Sequence, residues 1–355
     1  TDPGYTAVAI SQVKPVDRAQ PKPHTPRWPP RSPQTPRLRR TGCARGARLQ
    51  CAGDRREAHV SVTDVLMAIS RSDRDAAAEI ARATARSHPE DVLARLLADS
   101  LSSARRSGVY DEPTAFEDFI DHGGNPALYD AVIDALRGEY DAISARGSER
   151  SIAVLDIGCG DGRVTAATVP DDANVHLLEP AAALLETARH RVAGRTGEVT
   201  ASQVTLTDLL ATHAGTWDVA QSTFAMSAIP PEDRRQALRD LAERTQRLLI
   251  VEFDVPDFAD GSPSHASYAA ERYPQGVREY ADWPNVQTGF LMPVLVGQFD
   301  PDRPRHTFEQ SARAWIEDLH AAGWAAHVTS LAPYWWADAV LFDARAAGEP
   351  PAGSA

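Results

Sequence analysis

At Val154-Leu-Asp-Ile-Gly-Cys-Gly-Asp-Gly162 an apolar run ends on a carboxylate and breaks into alternating glycines. The run Ile152-Ala-Val-Leu-Asp156 is short and apolar, the pattern of a strand buried on both faces. Glycines at 158, 160 and 162 let the backbone turn tightly and let a ligand come close to the main chain. Val175-His-Leu-Leu-Glu179 is a second apolar run, and it too ends on a carboxylate. In a doubly wound sheet both carboxylates fall at the carboxyl edge, where ligands bind, and Glu179 can accept both hydroxyls of a ribose.

Working outward, the rhythm of strand and helix continues. Gln203–Thr207, Trp217–Ser222 and Arg247–Phe253 read as three further strands, with helices over Ala181–Ala193 and Pro231–Arg244. Two last strands are expected around His327–Leu331 and Ala339–Phe342. Alternating strands and helices predict an α/β, doubly wound, mostly parallel sheet of seven strands. Before this core, residues 61–105 read as helical, with Ser87-His-Pro-Glu90 as a capping box. The turn Gly123-Gly-Asn-Pro126 separates two short amphipathic segments. Residues 255–306 interrupt the alternation with prolines and aromatics, and Thr307-Phe-Glu-Gln310 reads as a capping box for the helix that follows.

The chain has 355 residues, 43% of them hydrophobic and 24% charged, which is ordinary for a globular protein. No apolar run is long enough for a membrane span, and no secretory leader is visible. Cys43, Cys51 and Cys159 form no ligand pattern, so no metal is expected, and the thiols fit a reducing cytoplasm. Residues 1–57 hold nine of the 26 prolines and a balance of +8. They read as a disordered basic tail whose deletion leaves activity intact. The remaining residues then carry −20, which repels phosphate backbones and argues against a nucleic-acid partner. The expected organisation is a tail over 1–57, a helical region over 58–149, a core over 150–345 with the insertion 255–306, and a flexible end over 346–355.

Two ligand classes compete for the glycine turn. A dinucleotide site expects G-x-G-x-x-G, but position 163 is Arg163. Pyrophosphate also prefers a helix N-terminus free of acids, whereas Asp156 and Asp161 flank this loop. S-adenosylmethionine (SAM) has no phosphate and carries an ammonium and a sulfonium, so acidic surroundings suit it.

Residues ~150–256 and ~308–343 resemble the class I SAM-dependent methyltransferases, whose first motif is similar to Val154–Gly162. The resemblance implies a Rossmann-like methyltransferase fold. It also implies that Gly158, Cys159 and Gly160 contact the methionine part of SAM and that Asp156 helps to position it. Glu179 and Pro180 would meet the ribose, Asp208 and Leu209 the adenine, and Ser222 and Thr223 the cofactor pocket. S-adenosylhomocysteine would be the product. In small-molecule members of the family, additions like 58–149 and 255–306 form a lid. Phe116–Tyr129 and Gln287–Gln298 resemble bacterial natural-product methyltransferases, some acting on aromatic alkaloids, including at indole C3.

Methyl transfer from a sulfonium is an in-line displacement that needs mainly proximity and orientation. A base can assist an alcohol or N–H acceptor, and Glu252, Tyr273 and His306 are the candidates taken forward from a set that includes His265, Asp254 and Tyr110. Tyr110, Phe119, Phe224, Trp335 and Trp336 are expected to wall the acceptor, since aromatic faces suit a flat substrate and a nearby sulfonium. The expected activity is methylation of a small aromatic or alkaloid-type metabolite in the cytoplasm, with a homodimer left open. A SAM-binding protein of this fold without methyl transfer is the alternative, followed by an NAD-dependent oxidoreductase.

Overall fold

The computed structural model describes residues 60–103, 113–145, 150–303 and 305–346. The tail over 1–57, Tyr110 and the end from 347 lie outside the described residues. Seven strands form one sheet: β1 (Ala153–Ile157), β2 (Asn174–Leu178), β3 (Val199–Ser202), β4 (Trp217–Thr223), β5 (Thr245–Phe253), β6 (Trp324–Ala332) and β7 (Ala339–Ala346). Their order is β3-β2-β1-β4-β5-β7-β6, and β7 runs antiparallel to both its neighbours while the β1–β5 pairings are parallel. The strand order reverses between β1 and β4, which opens a crevice at their carboxyl ends.

The α/β fold expected from the sequence is the one observed, and three local expectations are corrected. The third strand is Val199–Ser202, ahead of Gln203–Thr207. Thr205 instead caps a helix, its hydroxyl oxygen accepting from the Asp208 amide at 3.2 Å. Ser87 closes a helix rather than opening one, because His88, the residue ahead of Pro89, is pushed out of helical geometry. Asp91 takes the capping role, accepting from the Ala94 amide at 3.0 Å. Ser311, not Thr307, opens the helix after the insertion, accepting from the Ala314 amide at 3.1 Å.

Helices cover both faces of the sheet. On one side lie α5 (Asn125–Ser144), α6 (Arg163–Thr168) and α7 (Ala182–Arg191), packed over Val154, Val175, Leu249 and Val251. On the other lie α8 (Leu206–Thr212), α9 (Pro231–Ala242) and α13 (Ala312–Ala321), over Leu155, Leu248, Ile250 and Phe342. This division follows from the two-residue period of the strands.

A third apolar cluster stands apart from the sheet faces. It joins α1 (Val62–Ile69), α2 (Arg74–Ser87) and α3 (Val92–Ser102) to the insertion. The insertion itself is helical: α10 (Pro263–Glu279), then α11 (Pro284–Val286), a π-helical turn over Gln287–Leu291, and α12 (Met292–Phe299). Leu66, Leu97, Tyr273 and Leu295 are buried together there. The remaining helix, α4 (Pro113–Asp121), leads through the Gly123-Gly124 turn into α5. Among the described residues, no helix is long and apolar enough to cross a membrane.

Candidate active site

The glycine loop folds over the end of β2. The Gly158 and Cys159 amides donate to the Leu178 carbonyl at 2.8 and 3.1 Å. Gly158, Gly160 and Gly162 all have positive φ, at 65°, 54° and 76°. Their surroundings differ. A Cβ on Gly158 would lie 2.4 Å from the Ala225 Cβ, and one on Gly162 would lie 2.8 Å from the Ala188 Cα. A Cβ on Gly160 would meet nothing within 4 Å, so this glycine faces open space at the carboxyl edge.

Glu179 locks the loop. One carboxylate oxygen accepts from the Gly160 amide at 3.1 Å and the other from the Ala181 amide at 2.9 Å. Each oxygen keeps a lone pair for a further donor. Burial raises the Glu179 pKa, against the lowering effect of those two backbone bonds. Asp156 is 3% exposed and accepts from the Thr165 hydroxyl. Burial pushes its carboxyl up to about 6, while Thr165 and Gln221 pull it down and Glu179 adds to the rise. Asp161 behaves differently: burial pushes it up, but Arg163 and Arg191 outweigh that and hold it below the usual carboxylate range. The acidic setting of the loop is therefore Asp156 and Glu179, with Asp161 already neutralised.

The other residues expected at the cofactor lie at or near the ends of β1–β4. Asp208 is exposed in the first turn of α8, where its carboxylate accepts from Thr205 at 2.8 Å. Leu209 is buried in the cluster under α8 and α9. The residues that directly follow β3 at the carboxyl edge are Gln203 and the exposed Val204, because the strand ends earlier than the sequence pattern suggests. Pro180 is exposed beside Glu179, and Cys159 is half-buried with its thiol pushed up by burial. Ser222 is buried, and its hydroxyl donates to the Ile157 carbonyl at 3.2 Å, tying β4 to β1. The Thr223 hydroxyl is buried without a partner at the same edge.

The aromatic residues divide into two groups. Phe224, directly after β4, has a left-handed φ of 53°, a costly conformation for a bulky residue that is commonly retained at functional sites. Its ring stacks on Phe253 at 4.6 Å, and Phe253 stacks on Tyr334 at 5.4 Å. Tyr129 meets Phe224 edge-on at 6.1 Å. This row begins beside Ala225 and the glycine loop. Trp335 and Trp336 are buried instead against Tyr273 in the helical cluster, and Phe119 packs on Phe290 and Tyr280. Phe253 was legible in principle, because strand alternation puts it on the face opposite Glu252.

The candidate bases are scattered. Glu252 is 1% exposed on the α9 side of β5, and one oxygen accepts from the Ser227 amide at 2.8 Å. Burial pushes it up to about 7, partly offset by Ser227 and Arg234. Tyr273 is buried in the helical cluster, and burial raises its pKa well above the ordinary value. His306 is exposed on the stretch leading to α13. Asp254 is exposed and accepts from the Ala312 amide at 2.7 Å. His265 stacks on Phe258 at 5.4 Å and meets Phe299 tilted at 4.3 Å, and burial lowers its pKa. The structure does not bring Glu252, Tyr273 and His306 together. Among the described residues, no three His, Cys, Asp or Glu side chains gather into a metal-sized group.

Residues 154–247 match the family model of the methyltransferase domain. The chain carries a class I SAM-dependent methyltransferase domain. The matched residues run from β1 into β5 and include the glycine loop, Glu179 and Thr223. Solved structures with a similar fold include magnesium protoporphyrin IX methyltransferase from Synechocystis PCC 6803 with bound SAH, at 12% identity and TM-score 0.46, covering 67% of this chain and 95% of that one. They also include the 1,6-didemethyltoxoflavin-N1-methyltransferase of Burkholderia thailandensis, at 14% identity and TM-score 0.43, covering 69% and 92%. The N-methyltransferase NodS from Bradyrhizobium japonicum WM9 matches at 11% identity and TM-score 0.37, covering 66% and 98%. No curated protein matches the sequence. The domain match and the strand order carry the assignment of this methyltransferase to its class.

Proposed function

We propose that this methyltransferase transfers the methyl group of SAM to a small aromatic or alkaloid-type metabolite. The observation that carries the acceptor class is the stacked row Phe224–Phe253–Tyr334, which starts where the glycine loop ends. Flat faces in a row favour a flat ligand and attract positive charge.

The loop fits SAM on three counts. Open space above Gly160 leaves the main chain approachable. Asp156 and Glu179 supply negative charge that, among the described residues, no Arg or Lys side chain neutralises with a hydrogen bond, which suits a cationic ligand. The orphaned Thr223 hydroxyl offers a polar contact at the same edge. In this reading Gly158, Cys159 and Gly160 hold the methionine part, and Glu179 and Pro180 the ribose. Gln203 and Val204 border the adenine, replacing Asp208 and Leu209.

Bound SAM supplies a methyl group on an already activated leaving group. The chain's task is then to align an acceptor atom and exclude water. The aromatic row orients the acceptor ring, and the helical cluster covers it. Glu252 acts through the Ser227 turn rather than as a base, and neither Tyr273 nor His306 is carried forward as one. The −20 balance of residues 58–355 supports a small molecule over a nucleic acid. Methylation of an indole carbon is the finest form of the proposal.

Incubating the full chain with SAM and a panel of indoles, phenols and aromatic amines tests this by S-adenosylhomocysteine release and mass of the product. A gain of one methyl on an aromatic acceptor is expected. Release confined to non-aromatic acceptors would overturn the substrate class, and calorimetry showing NAD binding without SAM binding would overturn the cofactor.

A further inference from the structure

Glu309 lies on the irregular stretch between the insertion and α13, and that stretch is fastened to the core on both sides of it. The Phe308 amide donates to the Ser227 carbonyl at 2.6 Å, just past the end of β4. Arg234 on α9, 0% exposed, donates to the Phe308 carbonyl at 2.9 Å and to the Gln310 side-chain oxygen at 2.7 Å. Burial lowers the Arg234 pKa, so this charge is held at a cost, and what it secures is the chain around Glu309. The cofactor loop is close by, since Ala225, ahead of Ser227, packs against Gly158.

The Glu309 side chain turns toward the helical cluster. Its Oε1 accepts from the Trp336 Nε1 at 2.9 Å. Trp336 sits in the loop before β7, which starts opposite Phe253 at the carboxyl end of β5. Tyr268 and Tyr273 of α10 meet the Trp336 ring edge-on at 5.2 and 5.5 Å. Among the described residues no donor reaches Oε2, and Glu309 is only half-buried. Burial nonetheless pushes its carboxyl up to about 7, while Trp336 and Arg305 pull it down. A residue that keeps accessible surface in desolvated surroundings lines a recess rather than the outer face. Its charge adds to the rise that burial imposes on Glu252, Tyr268 and Tyr273. Glu252, at 1% exposed, has no comparable access.

We infer that Glu309 is the general base of this methyltransferase, its unbonded Oε2 taking the proton that the acceptor gives up as the methyl group arrives. The inference rests on the methyl transfer proposed above, and it requires an acceptor atom that carries a proton. The bond from sulfur to the methyl carbon breaks, and its electron pair stays on sulfur as the neutral thioether of S-adenosylhomocysteine. The acceptor–methyl bond forms, and the acceptor's proton passes to Glu309 and then to water. A carboxyl that titrates near neutral pH suits this step, because it is ionised enough to accept the proton and basic enough to hold it.

The test is the pH profile of kcat/KM for the full chain, saturated with SAM, on the indoles, phenols and aromatic amines of the panel above. For the wild type, kcat/KM is expected to rise about tenfold per pH unit and to level off above about 7, as Glu309 ionises. Glu309→Gln is expected to lower it by about 10²–10⁴-fold and to abolish that limb, with S-adenosylhomocysteine affinity in calorimetry unchanged. Trp336→Phe removes the bond that lowers the Glu309 pKa, so its limb should move to higher pH. That shift decides the matter should Glu309→Gln fail to fold, and an unmoved limb overturns the base. A Glu309→Gln rate within about threefold of the wild type also overturns it, as does a limb that persists in Glu309→Gln and vanishes in Glu252→Gln. Each of these leaves methyl transfer standing. If the wild type methylates no member of the panel, the base and the functional reading fall together.

Discussion

Gly158, Gly160 and Gly162 share a backbone conformation and differ in what surrounds them, so alanine at each asks a different question. All three substitutions carry the left-handed penalty of about 1–2 kcal/mol. Only Gly158→Ala and Gly162→Ala also force a collision, with Ala225 and Ala188. Gly160→Ala is therefore expected to lose the least thermal stability of the three while losing SAM affinity outright in calorimetry; a variant that bound SAM like the wild type would refute the open side of the loop as the cofactor's place. Asp156 gives a pH prediction. Its carboxyl is raised to about 6 in the folded chain and returns to about 3.9 when unfolded. Between those values the folded protein takes up a proton that the unfolded chain does not. The group thus favours folding at low pH, and that contribution is lost as pH rises through about 6. Relative to Asp156→Asn, urea unfolding should show the wild type gaining about 1 kcal/mol on going from pH 7.5 to pH 5. The same variant should bind SAM at least about tenfold more weakly at pH 7.5, one charged partner having been removed. At this scale the sequence was most readable: Asp156, Gly158, Gly160 and Glu179 lie where their pattern put them, because strand ends and glycine turns are local features. Phe253 and Tyr334 were less so, since rings far apart in the chain become neighbours only when β5 and β7 pair.

Arg163 links elements that no local pattern connects. Its guanidinium binds Asp161 in the glycine loop at 2.9 Å and Asp121 at the end of α4 at 2.9 Å, and lies over the Tyr129 ring. Helix α4 is thus latched to the glycine loop through one side chain. Arg163→Ala is expected to speed hydrogen exchange across Pro113–Asp121 and to raise the acceptor KM severalfold, with SAM affinity less affected. Unchanged exchange in α4 would show that its packing on α5 and α11 suffices. Arg163 also illustrates how one position carries two readings. In the sequence it counted against a dinucleotide fingerprint; in the structure it neutralises Asp161 and reaches α4. The misplaced third strand has a comparable cause. Val199–Ser202 is short and weakly apolar, and Leu206, Leu209 and Leu210 after it are helix residues facing the core, so an apolar run was read one element too late.

The helical cluster is built from two distant stretches of chain. Leu66 on α1 and Leu295 on α12 are fully buried in the same cluster. Leu66→Ala should cost roughly 2–5 kcal/mol of stability in urea unfolding, as expected for a large core side chain replaced by a methyl. A loss under about 1 kcal/mol would mean that the cluster relaxes around the gap. None of this union was legible in the sequence. Helical periodicity told which residues of 61–105 face inward but not what they face, and the prolines of 255–306 obscured helices that carry Pro274 inside α10 and Pro284 and Pro293 in the first turns of α11 and α12. The same arrangement imposes an order on synthesis. The ribosome delivers α1–α3 first and the insertion only after the sheet strands β1–β5 have emerged. At about 5–20 residues per second, the apolar faces of α1–α3 wait on the order of 10–50 s for their partners. During that interval the nascent chain exposes a surface suited to a chaperone, so slow codons between α3 and α10 should lower soluble yield even though they leave the finished protein unchanged.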